Sequence, residues 1–577
     1  MMSRRVMGLI AVFAVATVFA GERVPLWPEG KMPDAQPHQI AAMLDEARQP
    51  DFKPEEHRMP YVEWFDAPTN KTVNGCIILI SGGSYEVCCD MSLVKLWRER
   101  FTDLGFQCVN LVYRTPRPRG GLPIYKSAWD DGQRAVRYVR SQAEKRGFSA
   151  EKIGAISMSA GSHLNVLLAT SSQTPAYEAI DELDKVPCHL NFAMANAIAY
   201  GVTDGYGIPN TRDGDAIDAK IDPAFKFDSK TCPMWMAHGG ADIYSPFAST
   251  LVYRRLRQMK IPAELHLYPD NGHGAYGLDR AVEFLTQMGI LGPLAPEVKI
   301  MDRYASDEAR GEHIKEPIWP EGKMPDVQTN QCTPHLEWHL PKVLKTKAIQ
   351  IVYSGGGYFG NDENGFEVAP VRRYLNEKGM TVVTMKYRTP RPLNGLAKHT
   401  TAWQDVQRAI RIVRKEAVER GLDPNRIGIM GSSAGGHLTL MGATSSRRRA
   451  YWPIDAIDQL PCDVQWAVAI YPAYALTDGV DNWNTTGGND DSARLVPEFS
   501  FDPSTPPILF LHGDADGWAA MNSVKCWEQL HRMGIQGELH TLAKRSHCLQ
   551  HQATPGTGSY TWLDRIWEFL TEKGFNK

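Results

Sequence analysis

The chain is written twice. "PLWPEGKMPDAQ" begins at Pro25 and "PIWPEGKMPDVQ" at Pro317. "YRTPRP" begins at Tyr113 and again at Tyr387, "ATSS" at Ala169 and Ala443, and "HGGAD" at His238 answers "HGDAD" at His512. From Glu63 and Glu337 onward the copies run 274 positions apart, except for one residue near the first glycine turn. Trp27 and Trp319 are 292 apart, so the first copy carries about 18 extra residues, within "HQIAAMLDEARQPDFKPEE". Two domain-sized copies mean duplication, not a solenoid. At 577 residues the chain also exceeds what one core usually organises. The seam falls at 292–315, where "GPLAPEV" and the charged "DRYASDEARGEHIKE" interrupt the apolar pattern, leaving one domain over 21–291 and another over 316–577.

Residues 1–20 stand apart. Arg4 and Arg5 precede the apolar run "VMGLIAVFAVATVFA", which closes on Val18 and Ala20 before Gly21. A basic start, a short apolar core and small residues before the break describe a secretory signal peptide, and imply a secreted or periplasmic protein. No later stretch is long and apolar enough to cross a membrane, so no membrane partner is expected after cleavage. The net charge of −3 gives no reason to expect nucleic acid. Ten cysteines in so long a chain do not form a disulfide scaffold, and with no CxxC or HExxH a metal site has no support.

Each copy repeats one order of elements. In the first, "CIILIS" (76–81) and "FQCVNLVYR" (106–114) read as strands, and "AWDDGQRAVRYVRSQAEKRG" (128–147) as a helix closing on Gly147. "KIGAISM" is a strand that enters "SAGSHL"; "PMWMAHG" and "AELHLYP" follow as strands around a helical "PFASTLVYRRLRQM". Strands alternating with helices predict a mostly parallel sheet covered on both faces. Ligands of such sheets sit beyond the carboxyl ends of the strands.

The chemistry-bearing residues fall at those ends. Ser433, in "IGIMGSSAGGHLTL", and Ser159, in "IGAISMSAGSHLNV", each stand between a strand and a helix, the context that lifts a serine above a sheet edge. A serine hydroxyl needs a base, and the base an orienting acid. Asp242 and His273 follow Ser159, and Asp516 and His547 follow Ser433, each after a strand and in that order. Amide donors for an oxyanion are available in "ISGGSYEV" at Gly83 and Ser84 with Ala160, and in "YSGGGYFG" at Gly356 and Gly357 with Ala434. His163 and His437, four residues past each serine, read as packing or hydrogen-bonding residues. Trp129 and Trp403 read as helix-start packing residues. Tyr206 and Trp483, in the long connections before the acid strand, are candidates to stack on a sugar ring or are ordinary loop aromatics.

With these residues in place the chain resembles a tandem of α/β-hydrolase domains. "SGGGY" resembles the His-Gly-Gly-Gly turn of the lipase–esterase branch, "GSSAGGHL" its nucleophile elbow, and "YRTPRP" stands where that branch commonly has Tyr-Arg. The likeness extends to secreted bacterial carbohydrate esterases of the acetyl xylan and feruloyl type. It implies two serine hydrolase domains that remove acyl groups, chiefly acetyl, from a plant polysaccharide or oligosaccharide such as xylan, with no metal or organic cofactor. Ser159 and Ser433 would be nucleophiles, His273 and His547 bases, and Asp242 and Asp516 the orienting acids. Two departures stand out: Ser81 and Ser354 replace the leading histidine of the oxyanion turn, and Ser157 replaces the first glycine of the first elbow, where a side chain would crowd the turn. Two alternatives remain. One is a peptidase of the prolyl-oligopeptidase kind, against which no propeller-length repeat precedes either copy. The other is an active copy beside a carbohydrate-binding copy without turnover.

Overall fold

The computed structural model describes residues 21–39, 60–88, 91–203, 219–293, 295–296, 298–304, 306–393, 395–477, 493–549 and 551–577. Residues 1–20, expected to be a leader, and Tyr206 and Trp483 lie outside the described residues. In the first half the main strands are β1 (Glu22–Pro25), β2 (Tyr61–Phe65), β3 (Gly75–Ile80), β4 (Phe106–Val112), β5 (Ile153–Met158), β6 (Phe192–Asn196), β7 (Met234–Gly239) and β8 (Ala263–Tyr268). In the second they are β9 (Arg310–Pro317), β10 (His335–Pro341), β11 (Ile349–Tyr353), β12 (Thr381–Lys386), β13 (Ile427–Ser432), β14 (Trp466–Ile470), β15 (Ile508–Gly513) and β16 (Gly537–Leu542).

All sixteen form one sheet, ordered β1-β2-β4-β3-β5-β6-β7-β8-β16-β15-β14-β13-β11-β12-β10-β9. Within each half the strands from β4 to β8, or β12 to β16, are parallel, and the two outermost pairings are antiparallel. The halves therefore do not hang from a tether. They meet where β8 pairs antiparallel with β16, His266 opposite His540 and Leu267 opposite Leu539. Residues of the seam join the sheet too: β9 begins at Arg310 and borders the second half as β1 borders the first.

Side chains alternate across the sheet as the two-residue period requires. On one face Cys76, Ile78 and Ile80 belong to a core that runs through both halves, packed by α2 (Lys126–Ser141), α3 (Ala160–Thr170) and α4 (Phe247–Gln258) and their counterparts α7 (Thr400–Glu419), α8 (Ala434–Thr444) and α9 (Met521–Arg532). On the other face Ile77 and Leu79 meet α1 (Met91–Asp103) and α5 (Leu278–Gln287), while the second half has its own cluster under α6 (Ala369–Glu377) and α10 (Gly558–Glu572). The helix expected over 128–147 ends earlier, at Ser141. There the amides of Gln142 and Ala143 turn to i−3 carbonyls, and tight turns carry the chain to Gly147 at φ +71°. Among the described residues no helix is long and apolar enough to cross a membrane, and the described cysteines are all free.

Three motifs that recur in both copies prove to be one cluster. Asp131 accepts hydrogen bonds from the Trp27 indole (2.7 Å), the Arg114 amide (2.7 Å) and Arg114 Nε (3.0 Å). Asp405 accepts the same three from Trp319 (2.6 Å) and Arg388 (2.7 and 3.0 Å). The arginine and aspartate side chains are fully buried, so losing one partner strands a charge in the interior. Asp405→Ala is expected to cost about 3–5 kcal/mol of stability, read by urea unfolding.

Candidate active site

Ser159 occupies the single residue between β5 and α3, and Ser433 the one between β13 and α8. Both sit at positive φ, +59° and +55°. That conformation is strained for any side-chain-bearing residue and persists only where the surroundings enforce it. Small neighbours permit it: a Cβ on Gly161 would come within 2.4 Å of the Ser81 carbonyl oxygen, and one on Gly435 within 2.5 Å of that of Ser354.

The structure brings the residues singled out in the sequence into contact in both halves. Ser159 Oγ lies 2.8 Å from His273 Nε2, and His273 Nδ1 lies 2.9 Å from each Asp242 oxygen. Ser433 Oγ lies 2.8 Å from His547 Nε2, and His547 Nδ1 is 2.9 and 2.8 Å from the two Asp516 oxygens. Each acid is further held from below. The Tyr244 amide donates to Asp242 (2.8 Å) and the Trp518 amide to Asp516 (2.7 Å). His238 Nε2 stands 3.4 Å from Asp242, and His512 Nε2 3.2 Å from Asp516. Burial opposes ionisation of both carboxyls, but the paired imidazoles outweigh it and hold them below the ordinary aspartate range. A carboxylate kept charged beside Nδ1 leaves Nε2 free to receive a proton from the serine.

The glycine turns lie against the serines. A Cβ on Gly82 would sit 2.8 Å from Ser159 Cβ, and one on Gly355 2.7 Å from Ser433 Cβ. Gly83 (φ +125°), Ser84 (+57°), Gly356 (+101°) and Gly357 (+63°) carry the turn through left-handed conformations. Ala160 and Ala434 open their helices, so their amides have no intrahelical acceptor. The Gly355 amide is already bound to Glu367 (2.7 Å), which also accepts from the Tyr471 hydroxyl (2.7 Å).

Sequence reasoning left out Gly82 and Gly355, whose backbones lie against the serine Cβ atoms, although the double glycine marks them. It also left out what replaces the missing histidine anchor. Tyr85 and Tyr358 are fully buried at φ +61° and +63°. Their hydroxyls bond Nδ1 of His163 (2.8 Å) and His437 (2.9 Å), tying each glycine turn to the helix after the serine. The Tyr113 and Tyr387 hydroxyls donate to the carbonyls of Ser81 and Ser354, both at 3.0 Å. The signal was present: a tyrosine follows each glycine turn and a histidine follows each serine by four.

Ser157 does not crowd its turn. Its hydroxyl bonds Ser162 Oγ (3.0 Å), the Met194 carbonyl (3.2 Å) and Asn165 Nδ2 (2.8 Å). In the second half Gly431 leaves room instead for the Tyr353 ring, which a Cβ would meet at 2.6 Å, and Thr439 bonds the Tyr353 hydroxyl at 3.0 Å. Beside Ser433 and His547 two depressions open. One of about 300 Å³ is lined by Gly355, Gly356, Asn361, Phe366 and Glu367. Another of about 400 Å³ is lined by Phe366, Arg545, His547, Leu549 and His551.

A serine raised on a strained strand-to-helix turn above a mostly parallel sheet marks the α/β-hydrolase class, and both halves are of that class. The family follows from sequence: the chain belongs to the BD-FAE family, whose model matches residues 65–255 and 336–529. Among individual relatives, an acetylxylan esterase of Xylanibacter ruminicola is 36% identical over 252 residues, covering 41% of this chain and 46% of the relative. A probable carboxylic ester hydrolase, LipM of Mycobacterium tuberculosis, is 31% identical over 221 residues, covering 35% of this chain and 50% of the relative. The chain thus spans about half the length of each. Among solved structures, an acetyl ester-xyloside bifunctional hydrolase from Caldicellulosiruptor lactoaceticus is 26% identical, with a TM-score of 0.37, covering 47% of this chain and 100% of that one.

The packing of the glycine turn on the serine is directly testable. In a Ser159→Ala background, Gly355→Ala is expected to push the turn off Ser433 and lower hydrolysis of a small chromogenic ester about 100-fold, since displacements near 1 Å cost that much.

Proposed function

We propose that the protein is a carboxylic-ester hydrolase with two active sites, each working through an acyl-serine intermediate. The observation that carries the reading is the hydrogen-bonded Ser–His–Asp series, closed at 2.8–2.9 Å in both halves. In each site the serine oxygen attacks the acyl carbonyl while its proton passes to Nε2 of His273 or His547. Asp242 or Asp516 holds that imidazole and steadies the cation it becomes. The carbonyl oxygen takes up negative charge toward the amides of Ala160 with Gly83 or Ser84, and of Ala434 with Gly356 or Gly357. Collapse expels the alcohol, which takes the proton from Nε2. Water then attacks the acyl-serine by the same route in reverse roles and releases the acid.

The substrate we infer is an acetylated plant polysaccharide of the xylan class. Membership in the BD-FAE family and the acetylxylan esterase relative support this choice. Export to the periplasm or beyond, with cleavage after Ala20, agrees with a polymeric substrate that cannot enter a cell, and the basic-then-apolar leader supports it.

Because β8 and β16 are antiparallel, the carboxyl ends of the two sets of strands lie at opposite edges of the common sheet. The two sites therefore act on separate acyl groups without sharing a pocket. Ser159→Ala and Ser433→Ala are each expected to keep the other half's turnover, with the two residual rates summing to the wild-type rate. The double variant should fall by four or more orders of magnitude, the scale on which triad nucleophiles are lost. Acetate released from acetylated xylan, measured for each single variant, checks the substrate. Ferulate release in its place would move the acyl preference, and peptide cleavage without ester cleavage would overturn the reading.

A further inference from the structure

In the second half a group of polar side chains next to the glycine turn has atoms that the esterase reading does not use. His437 is fully buried on α8 and spends Nδ1 on the Tyr358 hydroxyl. Among the described residues its Nε2 is buried without a hydrogen-bond partner, 3.6 Å from Glu498 Oε1. His399, 8% exposed at the start of α7, turns its Nδ1 toward the same oxygen at 3.9 Å, again buried and unpartnered. One ligand atom from each of the three residues fits within a 4.8 Å span. Two buried ring nitrogens left unsatisfied around one carboxylate are costly unless something lies between them.

The first half supplies the contrast. His163 occupies the place of His437, packed by Phe225 at 5.0 Å as His437 is packed by Phe499 at 5.1 Å. Yet both its nitrogens are satisfied: Nδ1 by the Tyr85 hydroxyl and Nε2 by Asp222, each at 2.8 Å. At the repeat offset Tyr125 stands where the second half has His399, Ala224 where it has Glu498, and Asp222 where it has Val496. The second half has thus moved its carboxylate by two residues, lengthened it by a methylene and gained a second imidazole.

We infer that His437 Nε2, His399 Nδ1 and Glu498 Oε1 form a zinc site, with water completing a tetrahedron. Zinc bonds of about 2.0–2.2 Å to nitrogen and oxygen place tetrahedral ligands roughly 3.3–3.5 Å apart. The distances to Glu498 are already near that, and small side-chain rotations close the rest. Two imidazoles with one carboxylate suit zinc, whereas calcium and magnesium take oxygen ligands. With Nε2 on the metal, Nδ1 of His437 keeps its proton and donates it to Tyr358, the outer hydrogen bond that metal-bound histidines usually have. The Glu498 side chain is 20% exposed, which gives the ion a way in. Two cations that act on His399, Lys398 and Arg448, lie over the rings of Tyr474 (4.1 Å) and Trp403 (4.7 Å). The ion would join the starts of α7 and α8 to the segment before β15, and through Tyr358 steady the glycine turn beside Ser433. Its role is structural, and it stands whether or not the substrate reading holds.

The test uses the full chain, stripped with a chelator, loaded with zinc and dialysed free of excess. The expected result is about one zinc per chain by elemental analysis, visible absorption of four-coordinate cobalt when cobalt replaces zinc, and a zinc-dependent rise in Tm. His399→Tyr, which installs the first half's residue, and Glu498→Gln are expected to abolish all three while keeping the wild-type circular dichroism. His313→Ala, at a second histidine–carboxylate cluster with the buried Glu337 and His339, should keep them. A wild-type chain that retains no zinc overturns the inference. So does zinc retained equally by both site variants, or lost only in His313→Ala.

Discussion

Everything in this molecule is arranged around the pairing of β8 with β16. Each half alone would end its parallel sheet in an open strand, a template for association with other chains. Here each edge covers the other. At the centre His266 Nδ1 meets His540 Nδ1 at 2.8 Å, residue against repeat-equivalent residue, as an axis of two-fold pseudosymmetry requires. Burial keeps the His266 imidazole well below its usual range, so it stays neutral at this axis. The flanks add crossing contacts: the Leu265 amide to Thr541 Oγ1 (2.7 Å), the Ala543 amide to Glu264 (3.0 Å), and Arg565 with Thr561 on Glu283 (3.1 and 2.9 Å). One antiparallel junction thereby converts two copies into one sheet and turns the strand ends that carry the two serines away from each other.

The sites themselves depend on strain that their surroundings absorb. Ser159 and Ser433 hold left-handed backbones, and so do the bulky Tyr85 and Tyr358 in the facing turns. None of these four would rest there in a free peptide. The serine turns are pinned from both sides. The Ser159 amide donates to the Asn196 carbonyl and the Ser433 amide to that of Ile470, at 3.1 and 2.9 Å, while glycine backbones press against the serine Cβ atoms. The tyrosine turns are pinned by the histidines one helical turn beyond each serine. A site of this kind is pre-organised, because its strain is offset by packing and hydrogen bonding before any substrate arrives.

How much of this was legible in the sequence depends on the range of the interaction. The strand ends carrying Ser159, Asp242 and His273 were legible because apolar runs mark strands and the order of motifs fixes their place. The duplication made each assignment twice over. The β8–β16 junction was not legible: "AELHLYP" and "GELHTL" look like any buried strand, and nothing local says that their partner is each other. The clustering of Trp27, Arg114 and Asp131 was half-legible. Their motifs recur together, but a buried arginine reads in sequence like a solvated one. The helix end at Ser141 was missed because Gly147 carries the stronger stop signal, while the true end is set by i−3 hydrogen bonds that leave no residue signature.

Where the copies differ, they differ in linked sets. Ser157 comes with Asn165 and Ser162 as its hydrogen-bond partners, whereas Gly431 comes with the Tyr353 ring and Thr439 in the same space. Swapping one member alone would bury an unpaired hydroxyl or drive a Cβ into an aromatic ring. The His163 and His437 surroundings follow the same rule, with carboxylate position, length and neighbouring ring all changed together. Meanwhile the serine, imidazole and carboxylate keep the same distances in both halves to within 0.1 Å. Three groups held at fixed distances while their supports are exchanged as sets are what the proposed acyl transfer requires, because a serine, its base and the orienting acid work only in contact.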